Sequence, residues 1–213
     1  MPVIYHPQTQ INFMSQSVLT KIEDRIGFIT LNRPEKRNAL SPDLISGLDQ
    51  AFAAFEENEA VKVVILQAEG KAFCAGADLD YIQQLQHFTV EENLEDCNRL
   101  KFLFSKIYEF PKVVIAQVQG HALAGGCGLV TVCDFAFSAP EVLFGYTEVK
   151  IGFVPALVSV FLSEQIGHAK TMELLLSGEL ISSSKSAQIG LITEVVDGEP
   201  LVRRTVYFAQ QLI

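Results

Sequence analysis

The sequence predicts one compact α/β domain. Two continuous β-branched runs, VKVVILQAE (residues 61–69) and KVVIAQVQG (residues 112–120), are typical of strands covered on both faces. Segments with helical periodicity alternate with these strands. No linker, repeat or low-complexity tract divides the chain, and 213 residues are enough for one sizeable core. We therefore expect a single domain over residues 17–213, preceded by a loose extension over residues 1–16.

The N-terminal part predicts a hairpin followed by a helix. The segment VLTKIEDRIGFITLNRP has the composition of two short strands around a turn at Glu23 to Arg25. Ser41 is placed as the N-cap of the helix, with Pro42 at its first position. One face of this helix is apolar at helical spacing, and its members are Leu44, Leu48, Ala51, Phe52 and Phe55.

Two glycine-bearing loops follow the two buried strands. The first is GKAFCAGADL (residues 70–79), and the second is GHALAGGCGL (residues 120–129). A second helix is expected between them, around Asn93 to Phe110. The last stretch, PLVRRTVYFAQQLI, predicts a further helix.

Composition excludes several classes of function. The net charge of −9 argues against nucleic acid or an anionic membrane surface as a partner, and no apolar run is long enough to cross a bilayer. The N-terminus lacks the basic and apolar regions of a secretory signal. The four cysteines show no zinc-like spacing, so we expect free thiols in a cytoplasmic protein and no metal site.

The second loop resembles two nucleotide motifs without completing either. Gly120 and Gly125 have phosphate-loop spacing, but Gly126 and Cys127 follow where Lys and Ser/Thr are needed. Gly126 and Gly128 form a G-x-G, but Thr131 stands where the third glycine of a dinucleotide fingerprint belongs. Neither phosphate cradle is predicted.

An oxyanion hole is a third interpretation of the paired loops. If both strands point the same way, the N–H groups at the start of each following helix converge, and two of them can bind one oxygen. The competing interpretation is that the glycines only let a helix pack tightly on the sheet. The sequence leaves both open.

Several ordered motifs resemble the crotonase superfamily, the enoyl-CoA hydratase/isomerase family. They are ITLNRPEKRNALS near the start, FCAGADL, GHALAGGCGL, FGYTEVKIGFVP and LLLSGELISSSKSAQIGLITEVV. The resemblance covers the chain from about Ser17 onward. It implies a spiral of ββα repeats, acyl-CoA thioesters as substrates and assembly as homotrimers or hexamers. It also implies C-terminal helices that extend well past Ile213, so we expect the C-terminal helical segment to be missing or truncated.

The resemblance assigns site residues one by one. The oxyanion N–H groups fall on Ala77 and Gly125. Contacts to coenzyme A fall on residues of the NRPEKRNAL loop and of the two glycine loops: Lys36, Arg37, Ala39, Ala75, Gly76, Asp78 and Gly126. Asp78 is also expected to cap the helix after FCAG. No cofactor is expected, because coenzyme A is part of the substrate.

The acid/base residues depart from the family pattern. One of the two glutamates of family hydratases falls at Gly128 and is missing, whereas the other falls at Glu148 and is present. Phe144, Tyr146, Val149 and Phe153 surround Glu148 in sequence, so burial is expected to disfavour its charged form and tune it for proton transfer. Gly128 is expected to leave room for a carboxylate of the substrate.

No catalytic role is expected for three other polar residues. His121 and Asp134 are interpreted as hydrogen-bonded structural residues, and Cys127 as packing, because no base accompanies it.

Three functions follow from this set. The first is hydration of a branched or carboxylated enoyl-CoA, as in the bacterial methylglutaconyl-CoA hydratases that the chain resembles in TEVKIGFVPALVSVFL. The second is an isomerase or decarboxylase, which needs no activated water. The third is a catalytically weakened acyl-CoA-binding protein.

Overall fold

The computed structural model describes residues 16–213, which form ten strands and eight helices. Apart from Gln16, the expected loose extension lies outside the described residues. The chain opens with the predicted hairpin, β1 (Val18–Glu23) and β2 (Ile26–Leu31), whose strands pair antiparallel. Both the hairpin and its turn are confirmed.

The chain repeats a unit of two strands followed by helix. The hairpin and α1 (Pro42–Glu57) form the first unit. The next three are β3 (Val63–Ala68), β4 (Ala72–Cys74), α2 (Leu79–Leu85) and α3 (Val90–Tyr108); β5 (Val113–Val118), β6 (His121–Leu123) and α4 (Gly125–Thr131); and β7 (Phe135–Ser138), β8 (Leu143–Gly145), α5 (Ala156–Ile166) and α6 (His168–Ser177). The elements that follow are β9 (Ile181–Ser182), α7 (Ser183–Gln188), β10 (Glu194–Val195) and α8 (Leu201–Gln211).

The two strands of each later unit belong to different sheets. The first strands of these units, β3, β5 and β7, join the hairpin and β10 in a six-stranded sheet with the order β1-β2-β3-β5-β7-β10, parallel from β2 onward. The second strands, β4, β6 and β8, are parallel and form a four-stranded sheet with β9, in the order β4-β6-β8-β9. The chain therefore winds from one sheet to the other, which confirms the expected ββα spiral.

Helix α1 begins and packs as its sequence predicts. The Ser41 hydroxyl accepts a hydrogen bond from the Leu44 N–H at 3.3 Å, and the predicted apolar face is fully buried. Lys112 caps the C-terminal end of α1, because its ammonium donates to the carbonyl oxygens of Glu56 and Asn58, both at 2.9 Å. Helix α3 begins three residues before the expected Asn93, because Thr89 and Glu92 form a capping box.

Both faces of the large sheet are covered, as the continuous apolar runs predict. The small sheet and most helices cover one face. Helix α8 packs on the other face, where its Ala209 joins a cluster made of Ile26, Phe28, Val63, Ile65, Ile115, Phe137 and Val196. No helix within residues 16–213 is long and apolar enough to span a bilayer.

Candidate active site

The two glycine loops lie in direct contact. A Cβ placed on Gly76 would stand 2.7 Å from the Ala124 Cβ and 3.6 Å from the Gly125 nitrogen. Gly76 has φ +91°, a conformation that favours glycine. Ala124 also has a positive φ, 51°, although the Cβ of alanine makes this conformation unfavourable. Because β4 and β6 are parallel neighbours, the first loop meets the start of α4.

The two predicted oxyanion donors are both free within the described residues. Around Ala77, the Leu40 N–H donates to the Gly76 oxygen at 2.7 Å and the Asp78 N–H donates to the Leu40 oxygen at 2.9 Å, so this bridge leaves the Ala77 N–H unused. Gly125 is the first residue of α4 and has no acceptor within its helix. A carbonyl oxygen at this junction could accept from both groups.

Other glycines of the second loop serve packing. A Cβ on Gly120 would lie 2.1 Å from the Lys71 oxygen, and one on Gly126 would lie 2.3 Å from the Cys74 oxygen. The Cα of Gly126 therefore faces the backbone of β4 and not an open pocket. The packing interpretation is correct for these two positions, while Ala77 and Gly125 keep the features that an oxygen site needs.

The expectation that Gly128 leaves room for a substrate carboxylate is wrong. A Cβ at Gly128 would meet the Phe104 ring at 2.9 Å and Val158 Cγ2 at 3.6 Å. Phe104 belongs to α3 and Val158 to α5, and both are buried. An aromatic ring thus occupies the space where a second acid/base side chain would begin.

Glu148 is mostly buried at the start of a 3-10 turn, Glu148–Ile151. Its Oε2 is inaccessible to solvent and has no hydrogen-bond partner among the described residues. Burial raises the pKa of this carboxyl, and its own backbone N–H opposes the rise. The predicted direction is confirmed, although Phe153 is half exposed and contributes less to the burial than expected.

Cys127 does not provide a nucleophile near Glu148. It is fully buried, and desolvation raises the pKa of its thiol to about 12. Burial also raises the pKa of Tyr146, and the charge of Glu148 adds a smaller contribution to the rise at both residues. Since the thiolate is the reactive form, Cys127 is a packing residue, as expected.

A cleft of about 580 Å³ opens beside the first loop. It is lined by Pro34, Glu35, Arg37, Gly70, Lys71, Ala72, Ala75, His121 and Leu123. Two predicted contacts to coenzyme A, Arg37 and Ala75, are therefore brought together here. Lys71, which adds a second cation to the cleft, was not predicted from the sequence; its place directly before β4 was the available signal.

Three other predicted contacts have partners inside the protein. Lys36 does not line the cleft and forms an exposed ion pair with Asp80 at 2.9 Å. The Ala39 oxygen accepts from Arg33 Nη1 at 2.8 Å. Asp78 caps α2 by accepting from the Asp80 N–H at 3.1 Å, which confirms the cap, and it pairs with Arg33 at the same distance.

The two remaining polar residues are structural, as expected. His121 Nδ1 accepts from the Leu143 N–H at 3.1 Å, which joins the ends of β6 and β8. Asp134 accepts from the Val114 N–H at 2.8 Å and braces the turn before β7.

Comparison with known proteins gives one consistent result. The family model described as enoyl-CoA hydratase/isomerase matches residues 21–213. A Thermus thermophilus relative, whose name places it among the enoyl-CoA hydratases, is 41% identical over 170 residues, which cover 80% of this chain and 67% of the relative. The mitochondrial enoyl-CoA hydratase of Pongo abelii is 35% identical over 190 residues, which cover 88% of this chain and 63% of that protein.

Solved structures agree with the fold. A crotonase-type structure from Legionella pneumophila superposes with a TM-score of 0.89 at 35% identity, covering 92% of this chain and 76% of that one. The chain therefore spans about two thirds to three quarters of the length of these proteins.

Proposed function

The chain belongs to the enoyl-CoA hydratase/isomerase family, and on that premise we propose that it adds water to an α,β-unsaturated acyl-CoA. The proposed acyl group is branched or carboxylated, of the methylglutaconyl type. The N–H groups of Ala77 and Gly125 bind the thioester oxygen, and Glu148 moves the proton. Relatives named as enoyl-CoA hydratases support this class of reaction.

The proposal rests mainly on the side chain of Glu148, which has a buried carboxyl oxygen without a hydrogen-bond partner in the described part of the protein. A carboxyl oxygen that is buried without a partner costs free energy, so a group kept in this way is a candidate for chemistry. Burial raises its pKa above the ordinary value of a carboxyl, which favours the protonated form that a general acid needs. Two unused N–H groups next to Gly76 supply the charge stabilisation that an enolate-like intermediate needs.

Coenzyme A is proposed to lie along the cleft beside the first loop. Arg37 and Lys71 would face its phosphates, and Ala75 would let its chain approach the backbone. Gly76 completes this path. Lys36, Ala39 and Asp78 would act through the loop that they hold together, whereas Gly126, whose Cα faces the backbone of β4, is not part of the path. No separate cofactor is required, because coenzyme A arrives as part of the substrate.

The single carboxylate limits how water is activated. Glu148 must do this itself, or a carboxylate on the substrate must assist. Phe104 and Val158 close the side at Gly128, so an assisting carboxylate would have to approach from elsewhere.

A second candidate is an isomerase or decarboxylase. The ring of Phe104 over Gly128 favours it, because moving a double bond or losing carbon dioxide needs no second group to hold water. A weakened acyl-CoA-binding protein is the third candidate.

Product analysis separates these candidates. The protein is incubated with a straight-chain 2-enoyl-CoA, a branched one, a branched carboxylated one and a 3-enoyl-CoA, and products are identified by mass spectrometry. Hydration of the branched or carboxylated thioester supports the proposal. Double-bond migration or loss of carbon dioxide without hydrated product assigns the second candidate. Binding without turnover of any thioester assigns the third.

Glu148→Gln tests the residue directly. The substitution keeps the shape and removes proton transfer, so turnover should fall about 10²- to 10⁴-fold while thioester binding persists. Glu141→Gln is the matched control, since Glu141 is exposed and lies seven residues earlier. Full activity in Glu148→Gln would remove this residue from the mechanism.

Assembly as a homotrimer or hexamer and a cytoplasmic location complete the proposal. Exposed apolar side chains just after Glu148, at Ile151, Phe153 and Val154, support an assembly. The four free thiols favour a reducing compartment. Light scattering coupled to size-exclusion chromatography checks the assembly, and a monomeric mass would contradict it.

A further inference from the structure

Tyr146 is a buried tyrosine whose hydroxyl reaches across to α4. Its side chain is fully buried, and its hydroxyl lies 2.5 Å from the Thr131 hydroxyl oxygen. The Thr131 hydroxyl donates to the Cys127 oxygen at 2.9 Å, so the proton between the two side chains comes from Tyr146. Cys127 Sγ is a second polar neighbour of the Tyr146 hydroxyl. Within residues 16–213, the polar partners of this hydroxyl therefore all belong to α4.

Packing alone does not account for this hydroxyl. Phe144, two residues earlier, is buried in the same cluster without a polar atom. A buried hydroxyl costs free energy unless it is hydrogen-bonded. Once made, such a bond adds little net stability but constrains the relative positions of the two groups that it joins. The bond between Tyr146 and Thr131 thus fixes where the chain after β8 lies relative to α4.

The two ends of this bond lead to the two halves of the proposed active site. Glu148 follows Tyr146 by two residues, and the N–H of Gly125 starts the helix that carries Thr131. A second hydrogen bond, 2.7 Å long, runs from the Ala124 N–H to the Gly145 oxygen and joins the residue before α4 to the end of β8. The chain from Gly145 to Glu148 is therefore tied to α4 at two points.

We propose that Tyr146 is a positioning residue, whose hydrogen bond to Thr131 sets the distance between the Glu148 carboxyl and the Gly125 N–H. The inference rests on the proposed function, because that distance matters only if Glu148 transfers a proton to a thioester held by Gly125. A displacement of about 1 Å between reacting groups costs on the order of 100-fold in rate. Substrate binding through coenzyme A does not depend on this distance.

Tyr146→Phe is the main test, because it removes one oxygen and keeps the ring. With the thioester that the wild type converts fastest, kcat should fall about 10- to 100-fold while KM changes less than about twofold. Thr131→Val should give the same split, and Thr131→Ser, which keeps the hydroxyl, should restore kcat. The double variant Tyr146→Phe/Thr131→Val should be no slower than the slower single variant, because both remove one bond.

Thr205→Val is the matched control. Thr205 is fully buried, and its hydroxyl donates to the Leu201 oxygen at 2.9 Å, much as Thr131 donates to a carbonyl within α4. No second side chain in the described part of the protein binds this hydroxyl. The variant should keep wild-type kcat. Equal losses in Thr205→Val and Thr131→Val would overturn the inference, because the effect would then be general loosening.

The remaining outcomes separate the inference from the proposed function. A wild type that converts thioesters, an inactive Glu148→Gln and a fully active Tyr146→Phe would overturn the inference alone. A raised KM with unchanged kcat in Tyr146→Phe would do the same. A wild type that converts no thioester would overturn both. If Thr131→Val does not fold, Tyr146→Phe and Thr131→Ser decide the question.

Discussion

The two glycine loops supply one N–H group each to the proposed oxygen site, but they are held by different forces. The first loop is tied by backbone hydrogen bonds to the Arg37–Leu40 segment and lies beside an open cleft. The second continues into α4, which is buried from Gly126 to Thr131 and packs on β4 without a side-chain cap. The first donor is thus positioned by backbone hydrogen bonds, whereas the second is positioned by the close packing of α4 on β4 together with the hydrogen bonds that tie α4 to the chain from Gly145 to Glu148.

The two glycine loops should therefore respond differently to substitution. Close packing transmits strain, so changes in the second loop should appear first in the free energy of unfolding. The hydrogen-bonded loop is partly exposed, so removing its free N–H should change activity and leave the fold intact.

Loss of the Ala77 N–H in the first loop should have the largest effect, and this effect should be on kcat. Ala77→Pro removes one proposed oxyanion donor, and such a loss costs about 10²- to 10³-fold in kcat. Ala77→Gly keeps the N–H and should retain most activity. Steady-state kinetics with circular dichroism as a check of folding measures both. Near-normal turnover in a folded Ala77→Pro protein would reject the donor assignment.

Next in size is a change of stability in the second loop. Gly126→Ala places a Cβ 2.3 Å from the Cys74 oxygen, and backbone yields little, so the free energy of unfolding should fall by about 1–3 kcal/mol. Gly125→Ala meets only the tip of the Leu40 side chain at 2.8 Å and should cost less. Urea denaturation compares the two. Equal costs would contradict the view that β4 packs on this helix through Gly126.

A smaller effect of opposite sign is expected at Ala124. Its φ of 51° strains any residue with a Cβ, so Ala124→Gly should raise the free energy of unfolding by about 1 kcal/mol. Ala122→Gly, in the neighbouring strand β6, should lower it, as glycine usually does in a strand. A destabilised Ala124→Gly variant would show that the Ala124 methyl group, where it meets Gly76, matters more than the strain.

The smallest effect concerns the pH dependence of stability at Glu148. Burial raises the folded-state pKa, so protonated Glu148 contributes stability that is complete below the unfolded pKa of about 4.3 and is lost as pH rises through the folded value. Glu148→Gln cannot lose this contribution. Its melting temperature relative to wild type should therefore rise between about pH 4 and neutrality. A gap that stays constant with pH would mean that the carboxyl is not held in a desolvated site.

Much of the fold follows from local pattern. The hairpin, α1 with its Ser41 cap and the buried strands β3 and β5 are confirmed, because turn residues, caps and apolar periodicity act over a few neighbouring residues. The strands β4, β6 and β8 have three residues each, too few to show an alternation. Only the family resemblance implied them.

Some features of the candidate active site were likewise predictable from the sequence, and others were not. The direction of the Glu148 pKa was predictable from the apolar residues beside it in sequence. Phe104 over Gly128 was not, since the two residues lie on different helices and only the packing of α3 on α4 brings them together. The ion pair between Lys36 and Asp80 and the place of Lys71 in the cleft also depend on how distant loops meet.

From the sequence alone, ordered motifs and residue types predicted the class of fold and the family, and they singled out Glu148 as the carboxyl proposed to transfer a proton. The tertiary structure decided what surrounds each group: the two free N–H groups at the loop junction, the aromatic ring in place of a second carboxylate, and the bond from Tyr146 to Thr131. These depend on distances between segments far apart in the chain, and such distances are set by packing and not by local sequence.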